Sequence, residues 1–392
     1  MKKVCIVTPE FPPETWGGLA RTAKRVADHA AGMGLAVHVA HLMVAQSALI
    51  LLDENRRTDT MGDVTVHRLT VGRESLADGQ RQLWDCPHNL TLQMMYQALE
   101  MLHAQEGFDL FHSLFLYPIG YITGLLAGRG KIPHVATLVG NDVKKYFFSP
   151  EKVAVCRSGL ENADRVVGLS PDLLEMADAL VPIMSRSSII YNSVEIPSLA
   201  WEPLLHKARK ACRVGCAGIF KYAKGLPYLF KAIAELGGEW GSPVLDLVGT
   251  LRESEQEVFQ AMVQRTGIES RIKFRGAVPH VEIPKWLRSL DVFVLPSVTE
   301  GCPNILMEAM ASGLPCVATR TGANEVLIEN RVSGLLVSCG DSASLAAALK
   351  EILADPEFAA SLGRGARKRM EDFSSRRERE EWESIYRKML DF

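Results

Sequence analysis

The fold of this chain is indicated most clearly by the stretch from Leu295 to Pro315, which reads LPSVTEGCPNILMEAMASGLP. Pro303 suits the first position of a helix, Gly313 suits the position just after its end, and Pro315 prevents the helix from continuing. The apolar run Val292–Leu295 before it is typical of a buried strand. The stretch therefore predicts a helix that begins at the carboxyl end of a strand in an open α/β sheet.

Two carboxylates lie in this stretch, at the edge of the sheet where ligands bind. Open α/β sheets bind ligands at the carboxyl ends of their strands, and a helix N-terminus there favours a phosphate. Glu300 and Glu308 are poor neighbours for phosphate but good hydrogen-bond acceptors for sugar and ribose hydroxyls. The alternative is a surface helix with two solvated glutamates. It is the weaker interpretation, because Glu308 stands in an otherwise apolar helix where a charge needs a partner.

Short apolar runs alternate with helical periodicity along both halves of the chain, a pattern typical of βα units and parallel sheets. The runs predicted as strands are Val4–Val7, Ala36–Ala40, Val64–Leu69, Phe108–Phe111, His134–Leu138, Arg165–Gly168, Ser188–Ile190, Arg213–Ala217, Val244–Val248, Ile272–Arg275, Val292–Leu295, Cys316–Ala318 and Leu335–Val337. Residues 45–62 and 70–90 lack a sustained period and are expected to form loops or a hairpin. The pattern predicts two Rossmann-like lobes.

The domain bounds follow from where this alternation stops. Two prolines, Pro197 and Pro203, fall outside any periodic pattern and mark a linker. The last helix has an apolar stripe that must dock on something, and the N-terminal lobe is the natural candidate. That stripe consists of Trp382, Ile385, Tyr386 and Met389. The predicted parts are an N-terminal lobe (1–195), a linker (196–210), a C-terminal lobe (211–373) and a C-terminal helix (374–392).

Composition excludes several classes of protein. The chain has 392 residues and a net charge of −2, which argues against a nucleic-acid binder, whose footprint would be strongly basic. No apolar run approaches the ~20 residues of a membrane-spanning helix, and the short apolar run near the N-terminus ends in prolines, unlike a signal peptide. The eight cysteines are scattered, as is typical of a reducing cytoplasm. Cys212 and Cys216 lack a nearby second pair, so no zinc is expected there.

Several sequence motifs of other enzyme classes are absent. The chain contains no G-x-x-x-x-G-K-[ST] phosphate loop, no G-x-S-x-G nucleophile elbow and no H-E-x-x-H. The first strand is followed by the segment 9–19, PEFPPETWGGL, rather than by G-x-G-x-x-G. A nicotinamide or flavin enzyme is therefore not expected, despite the Rossmann-like pattern.

The segment from Glu300 to Pro315 closely resembles the donor-site motif of retaining glycosyltransferases of family 4, in which two glutamates are separated by seven residues. Weaker similarities follow in the order that the family shows. They are Phe11-Pro12-Pro13 with Gly17-Gly18, Asn192-Ser193-Val194, Lys224-Gly225, Leu247-Val248-Gly249 and Phe274-Arg275-Gly276. The resemblance implies an α/β protein of the GT-B architecture: two Rossmann-like, parallel-sheet lobes that face each other across a cleft, with the C-terminal helix docked back on the N-terminal lobe.

The resemblance also implies roles for individual residues. Lys224 would contact the donor diphosphate, Glu308 the ribose hydroxyls, and Glu300 with the amides after it the transferred sugar. These roles are physically reasonable, because a lysine and helix N–H groups stabilise a leaving diphosphate, and glycine lets backbone approach a ligand closely. The implied donor-binding residues are Gly17, Gly18, Lys221, Lys224, Gly301, Cys302, Pro303, Asn304, Ile305 and Glu308.

Two positions depart from the family pattern. Ile219 stands where an arginine usually gives a second diphosphate contact, and Lys221 is a candidate substitute that lacks the guanidinium fork. Leu114 stands where the second histidine of an H-x-H usually lies near the reaction centre. Only His112 remains, for which a core histidine and a functional one are equally good interpretations. Asp142 is an alternative polar group at a strand end, so the catalytic candidates are Glu300, Lys224, His112 and Asp142.

The sequence thus predicts a retaining glycosyltransferase that needs neither metal nor cofactor. The donor would be a nucleotide-diphosphate sugar, with UDP or GDP favoured, and the acceptor a hydroxyl of a glycan, a lipid-linked or a small molecule. Cell-surface glycan or glycolipid synthesis in the cytoplasm is expected, with peripheral contact to the inner face of the membrane left open. The alternatives on the same fold are a nucleotide-sugar epimerase or hydrolase, a sugar phosphorylase, and a sugar-nucleotide-binding subunit without activity.

Overall fold

A computed structural model describes residues 1–45, 56–72, 89–198, 212–237 and 243–391. The chain divides into two compact units. The first unit contains Met1–Tyr191 and Glu378–Phe392, and the second contains Asn192–Arg377. The division after Tyr191 falls a few residues before the predicted lobe bound at 195. The predicted linker, 196–210, lies outside the described residues from position 199 onward.

The described residues of the first unit form a sheet of eight strands. These are β1 (Lys3–Thr8), β2 (Ala36–Val44), β3 (Arg56–Met61), β4 (Val64–Val71), β5 (Leu110–Leu114), β6 (His134–Leu138), β7 (Arg165–Gly168) and β8 (Ser187–Ile189). Their order is β3-β4-β2-β1-β5-β6-β7-β8, and only the β3–β4 pair is antiparallel. The strand order reverses between β1 and β5, which is where a doubly wound sheet binds its ligand.

Helices cover the faces of this sheet. They are α1 (Gly18–Gly32), α2 (Asn89–Glu106), α3 (Tyr121–Gly130), α4 (Asn141–Lys144), α5 (Pro150–Glu161) and α6 (Pro171–Leu180). The helices α5 and α6 both begin with proline, whose fixed φ suits the first helical position. Buried apolar residues of the sheet, such as Val7 and Phe111, pack with Leu99 of α2 and Ile122 of α3 in one core.

The second unit repeats the plan with an entirely parallel sheet of six strands in its described part. These are β9 (Arg213–Phe220), β10 (Val244–Leu251), β11 (Ile272–Phe274), β12 (Val292–Leu295), β13 (Cys316–Thr319) and β14 (Leu335–Val337). The order β11-β10-β9-β12-β13-β14 is that of the Rossmann fold, and it reverses between β9 and β12. The helices are α7 (Leu226–Glu235), α8 (Gln256–Thr266), α9 (Ile283–Arg288), α10 (Asn304–Ala311), α11 (Asn324–Leu327), α12 (Ser342–Ala354) and α13 (Pro356–Arg369).

Helix α7 illustrates how the sequence pattern becomes packing. Leu226, Leu229, Phe230 and Ile233 recur at the spacing of one helix face, and each is at most 4% exposed. They lie in one core with Val214 of β9 and with residues of α12. Burying each such side chain contributes roughly 1.5–3 kcal/mol, so this face is sufficient to hold the helix on the sheet.

The last helix, α14 (Ser375–Leu390), belongs mainly to the first unit. Trp382 and Tyr386 of the predicted stripe are fully buried and Ile385 is 4% exposed. The Tyr386 hydroxyl lies 2.7 Å from His112 Nδ1, and Glu378 accepts from Arg25 Nε at 2.6 Å. The helix is therefore held to the first sheet and to α1 by both apolar and polar contacts.

The predicted strands all occur, with shifts of a few residues at their ends. Strand β3 lies in the stretch 45–62, for which loops or a hairpin were expected, and its antiparallel pairing with β4 forms a hairpin. Its sequence, RRTDTM, is polar because it is an edge strand with one open side. Across the described part of the chain, no helix is long and apolar enough to cross a membrane.

Candidate functional site

The crevice of the second sheet lies where its strand order reverses, between β9 and β12. The chain leaves β9 through a short turn at Tyr222–Lys224 and leaves β12 through residues 296–303. Connections that diverge from neighbouring strands leave a gap at the carboxyl edge, and ligand sites of open α/β sheets form there. The sequence-predicted residues Lys224 and Glu300 meet at this edge.

Lys224 and Glu300 form an ion pair in the crevice. The Lys224 ammonium donates to Glu300 Oε1 at 2.5 Å, and Ser297 Oγ donates to the same oxygen at 2.7 Å. The two charged side chains are only 20% and 10% exposed. One positive and one negative group side by side suit a ligand that carries both an anionic part and hydroxyls. Ser297 was not predicted, although its place two residues after a strand on the ligand edge was a usable signal.

A glycine allows this close arrangement of the two connections. Gly225 has a φ of +68°, and a Cβ at this position would overlap the Pro296 carbonyl oxygen. The turn therefore lies directly against the segment after β12, and the Val298 amide donates to the Ala223 carbonyl at 2.9 Å. A residue with a Cβ at position 225 would force this turn or the segment after β12 to shift.

The N-terminus of α10 adjoins the ion pair. Intrahelical bonding begins with the Leu306 and Met307 amides, which donate to the Pro303 carbonyl, so the Asn304 and Ile305 amides stand at the open end. Pro303 precedes the helix as its cap rather than occupying the first helical position as predicted. Gly313, with a φ of +80°, follows the helix end as predicted.

The loop before α10 is fixed by backbone contacts within the second unit. The buried Asn192 side chain donates to the Cys302 carbonyl at 2.8 Å, and the Ala323 amide donates to the Gly301 carbonyl at 2.8 Å. Cys302 is itself 7% exposed. The predicted donor-binding residues 301–305 thus form one rigid segment, whose open amides can receive an anion.

Glu308 lies one turn into α10, with a side chain that is 14% exposed. Its Oε1 is 3.1 Å from Nε2 of His280, a half-exposed histidine that follows β11. The glutamate that looked out of place in an apolar helix therefore has a polar partner. His280 was not predicted, and the available signal was a histidine in the connection after a strand on the ligand edge.

The departure from the family pattern at Ile219 is visible on the surface. Ile219 is 51% exposed at the end of β9, where the missing arginine would be. Lys221 lies on the rim of a small cavity between α7 and α8, lined mainly by apolar residues that include Leu226, Phe230 and Phe259. The structure thus brings Lys224, Glu300 and residues 301–305 together, and places Lys221 beside this apolar cavity.

Gly17 and Gly18 lie at the carboxyl edge of the first sheet. Gly17 caps α1 with extended backbone and Gly18 is its first residue. A Cβ on Gly17 would lie 3.0 Å from Glu10 Oε2, so a larger residue would press on the loop that connects β1 to α1. The pair therefore stands at a helix N-terminus beside the switch point of the first sheet, and its approach to a phosphate stays a prediction.

His112 belongs to the core of the first unit rather than to an open site. It is the middle residue of β5 and is fully buried. Its Nδ1 lies 2.7 Å from the Tyr386 hydroxyl and its Nε2 2.7 Å from Thr137 Oγ1. Burial, together with the charge of His134, lowers its pKa to about 3. This placement argues against the predicted catalytic role, because a catalytic group must reach the substrate.

Asp142 has a structural role of the same kind. Its carboxylate is fully buried and accepts from the backbone amides of Leu116, Val139 and Gly140, at 2.7–3.2 Å. Burial raises the pKa of this carboxyl, and the three amides oppose that effect. The side chain fixes the loop after β6 through these hydrogen bonds. They argue against the predicted catalytic role of Asp142 as well.

Among the described residues, His38, His67 and Glu106 have metal-ligand types with atoms within 4.8 Å of one another. Arg56 already occupies this place, with Nη2 at 3.1 Å from His67 Nδ1 and 3.3 Å from Glu106 Oε1. A guanidinium does not lose its proton and repels a second cation. We therefore assign no metal to this group, and the metal independence of the reaction stays a prediction.

Two family models match this chain in succession. Residues 17–192 match the glycosyl transferase 4-like domain, and residues 211–355 match glycosyl transferases group 1. The second match contains the whole crevice with Lys224, Glu300 and Glu308. The first contains the glycine pair and most of the first unit.

Curated relatives support the same assignment. The chain is 26% identical to the N-acetyl-alpha-D-glucosaminyl L-malate synthase of Bacillus anthracis over 340 residues, which is 84% of this chain and 85% of that protein. It is 32% identical to the lipopolysaccharide core biosynthesis mannosyltransferase LpcC of Rhizobium leguminosarum over 181 residues, 45% of this chain and 51% of that protein.

Solved structures share the fold. The sucrose-phosphate synthase of Thermosynechococcus elongatus superposes with a TM-score of 0.81 at 20% identity, covering 100% of both chains. The Anabaena protein HepE in complex with UDP-glucose gives a TM-score of 0.77 at 18% identity, covering 98% of this chain and 99% of that one. The two parallel-sheet units thus have the GT-B architecture.

Proposed function

The chain belongs to the group 1 glycosyl transferases, and from that premise we propose that it transfers a sugar, with retention of anomeric configuration, from a nucleotide-diphosphate sugar to an acceptor hydroxyl. The observation that carries the proposal is the Lys224–Glu300 ion pair beside the open N-terminus of α10. It combines an anion-binding end with an acceptor for hydroxyls at the ligand edge of a Rossmann sheet.

The proposed chemistry begins with the leaving diphosphate. As the bond to the sugar breaks, negative charge grows on the phosphate oxygens. The Lys224 ammonium and the Asn304 and Ile305 amides stabilise that charge, and they are already oriented before the reaction. These groups supply positive potential from the chain itself, which is why the proposal includes no metal ion.

The two glutamates have separate tasks in this proposal. Glu308 accepts hydrogen bonds from the ribose hydroxyls, while Glu300 accepts from the hydroxyls of the transferred sugar. The acceptor hydroxyl then attacks the sugar from the face that the diphosphate leaves. Its proton passes to the departing phosphate oxygen, so no side-chain base is required. The burial of His112 and Asp142 supports a route without a side-chain base.

The relatives support a class of substrates. UDP-glucose occupies HepE, and LpcC acts in lipopolysaccharide core biosynthesis, so a UDP-linked donor and a glycan or lipid-linked acceptor are proposed first. GDP is kept as the second donor nucleotide, because the crevice groups named above contact phosphate, ribose and sugar but not the base.

The first experiment is calorimetric titration of the protein with UDP, GDP and ADP in the presence of a chelator. We expect one nucleotide to bind, and Glu308→Ala to weaken its binding by roughly tenfold or more, since hydrogen bonds to a charged group are worth about 1.5–3 kcal/mol. Glu308→Gln should weaken it less. Glu351→Ala, which removes an exposed glutamate paired with Arg331, is the matched control.

The possible outcomes of this titration distinguish between the functions considered for the site. Unchanged affinity in Glu308→Ala would remove the ribose assignment. Binding of no nucleotide by the wild-type protein would favour a degenerate site, with Ile219 as its leading cause. Once the nucleotide is known, its sugar conjugates are tested for transfer, and release of free sugar without acceptor would indicate a hydrolase instead.

A further inference from the structure

Side chains of two other strands contact the loop that connects β1 to α1, residues 9–17, from its core side. These are His41 on β2 and Arg68 on β4, which lie on the core side of the loop and are 1% and 3% exposed. A buried arginine is rare unless its charge is paired and its N–H groups are satisfied. Both conditions are met here through the loop itself.

Arg68 contacts the loop at a backbone and at a side-chain atom. Its Nη2 donates to the Pro12 carbonyl at 2.8 Å, and its Nη1 forms an ion pair with Glu14. Its Nε donates to Asp59 Oδ2 at 2.8 Å on the neighbouring strand β3. The planar fork thus fixes three partners in defined directions, which a lysine ammonium cannot reproduce.

His41 completes the support. Arg68 Nη1 lies 3.2 Å from His41 Nδ1, and His41 Nε2 lies 3.3 Å from the Pro9 carbonyl. Because an arginine only donates, His41 Nδ1 is the acceptor, and the imidazole proton therefore resides on Nε2 and is donated to Pro9. Burial and the charge of Arg68 lower the His41 pKa to about 4, in agreement with a neutral ring. Arg68 thus fixes the Pro12 carbonyl directly and the Pro9 carbonyl through His41.

We propose that Arg68 is a positioning residue for the transfer reaction, which sets the conformation of the β1–α1 loop and of Gly17 and Gly18 at its end. The proposal rests on the proposed function. Arg68 itself lies on the core side and does not touch the substrate. We expect a displaced loop to cost mainly transfer rate, because the nucleotide contacts proposed for Lys224 and Glu308 belong to the second unit and are unchanged by this substitution.

The test compares Arg68→Lys with Arg57→Lys. Arg57 also pairs with Glu14 and Asp59 but is 64% exposed and makes no bond to the loop backbone, so it is the matched control. We expect Arg68→Lys to lower kcat by about tenfold or more, since small misplacements in an active site can cost that much. The KM for the donor and the calorimetric affinity for the nucleotide should stay within about twofold of wild type. Arg57→Lys should leave all of these quantities near wild type.

Hydrogen–deuterium exchange gives a second readout that does not depend on activity. Arg68→Lys should raise exchange in peptides spanning residues 9–18, while peptides of β5 and β6 keep their protection. If Arg68→Lys does not fold, Glu14→Gln replaces it, because it weakens the same contact from a partly exposed position.

The outcomes distinguish this inference from the function on which it rests. Unchanged exchange in residues 9–18, or a loss of nucleotide affinity equal to the loss of kcat, would overturn the positioning role of Arg68. A wild-type protein that transfers no sugar, together with faster exchange in Arg68→Lys, would instead overturn the proposed function and leave the loop support established.

Discussion

Glu300 brings two hydrogen-bond donors to one carboxylate oxygen, with Lys224 Nζ at 2.5 Å and Ser297 Oγ at 2.7 Å. Its negative charge keeps the lysine at the place proposed for the leaving diphosphate. A glutamine of the same shape still accepts from Ser297, but it offers Lys224 no charge. Glu300 therefore has two effects on the transfer reaction in the proposed mechanism. It binds the sugar hydroxyls, and it holds Lys224 in position.

We expect Glu300→Gln to lower the transfer rate by roughly 10²-fold, which is typical for the loss of one oriented electrostatic contact in a transition state. Nucleotide affinity should fall much less than the rate does, because the ribose contact at Glu308 and the turn that contains Lys224 are untouched. Initial rates and calorimetric titration on the same preparation test this. Glu325→Gln, which alters a half-exposed glutamate paired with Arg320, is the control. An equal loss of rate and affinity would contradict the role given to Glu300.

Local signals identified some site residues and misassigned others. Glu300 and Glu308 could be predicted from their places before and inside an apolar helix that follows a buried strand. Lys224 was predicted from the resemblance to the family, and the structure places it in contact with Glu300. His112 was predicted from the same resemblance, at the end of a strand. Its role is decided by Tyr386, 274 positions away in the sequence, which no local pattern reveals. The role of Asp142 is likewise determined by hydrogen bonds from backbone amides of two separate loops.

At the scale of secondary-structure elements, the turn after β9 depends on a single glycine. Gly225 and Gly267 have nearly the same backbone, with φ of +68° and +64°. A Cβ on Gly225 would meet the Pro296 carbonyl, whereas one on Gly267 would meet nothing within 4 Å. The two positions therefore separate backbone strain from steric overlap.

We expect Gly267→Ala to cost about 1–2 kcal/mol of unfolding free energy, the strain of a left-handed residue with a side chain. Gly225→Ala should cost more, because the turn must also move away from the segment after β12. It should weaken nucleotide binding as well, since Lys224 moves with the turn, and Gly267→Ala should not. Chemical denaturation measures the stability of both variants, and calorimetry measures their nucleotide affinity. If Gly225→Ala and Gly267→Ala change stability and binding equally, the overlap at Gly225 is relieved without moving Lys224.

Elements buried on both faces were the most predictable. Strands β6, β7, β12 and β14 occur with the bounds that the apolar runs predicted. The edge strand β3 has no apolar run, and only its pairing with β4 makes it a strand. Asp59 of β3 accepts a hydrogen bond from Arg68 of β4, and Arg68 in turn contacts the β1–α1 loop. Strand β3 therefore helps to support that loop.

At the scale of the whole molecule, the number of lobes and the parallel sheets followed from length and alternation. The strand order did not, because periodicity contains no information on which strands are neighbours. Both sheets reverse their order beside their first strand, β1 in one unit and β9 in the other. This shared plan places the two predicted ligand segments, the glycine pair and the Glu300 loop, at equivalent edges of two similar sheets.

The first unit also contains a set of buried histidines, from which we expect a sensitivity to acid. Burial is the main cause that lowers the pKa of His41, His67 and His134 to about 4 and that of His112 to about 3. In the unfolded chain these rings bind a proton near the ordinary pKa of about 6.5. Between about pH 6.5 and about pH 4 the unfolded state therefore binds more protons than the folded state, and stability must fall as the pH falls.

We expect the first unit to lose stability before the second when the pH is lowered from about 7 to about 5. Each such histidine contributes a slope of up to ~1.4 kcal/mol per pH unit, and two carboxyls with raised pKa, Glu10 and Asp142, oppose the effect only in part. Urea unfolding followed by hydrogen exchange at both pH values measures the two units separately. A His67→Gln variant has one titrating base fewer and should show a shallower profile. Earlier loss of protection in β9–β14, or a profile that does not change with pH, would contradict the assignment of these histidines as neutral core residues.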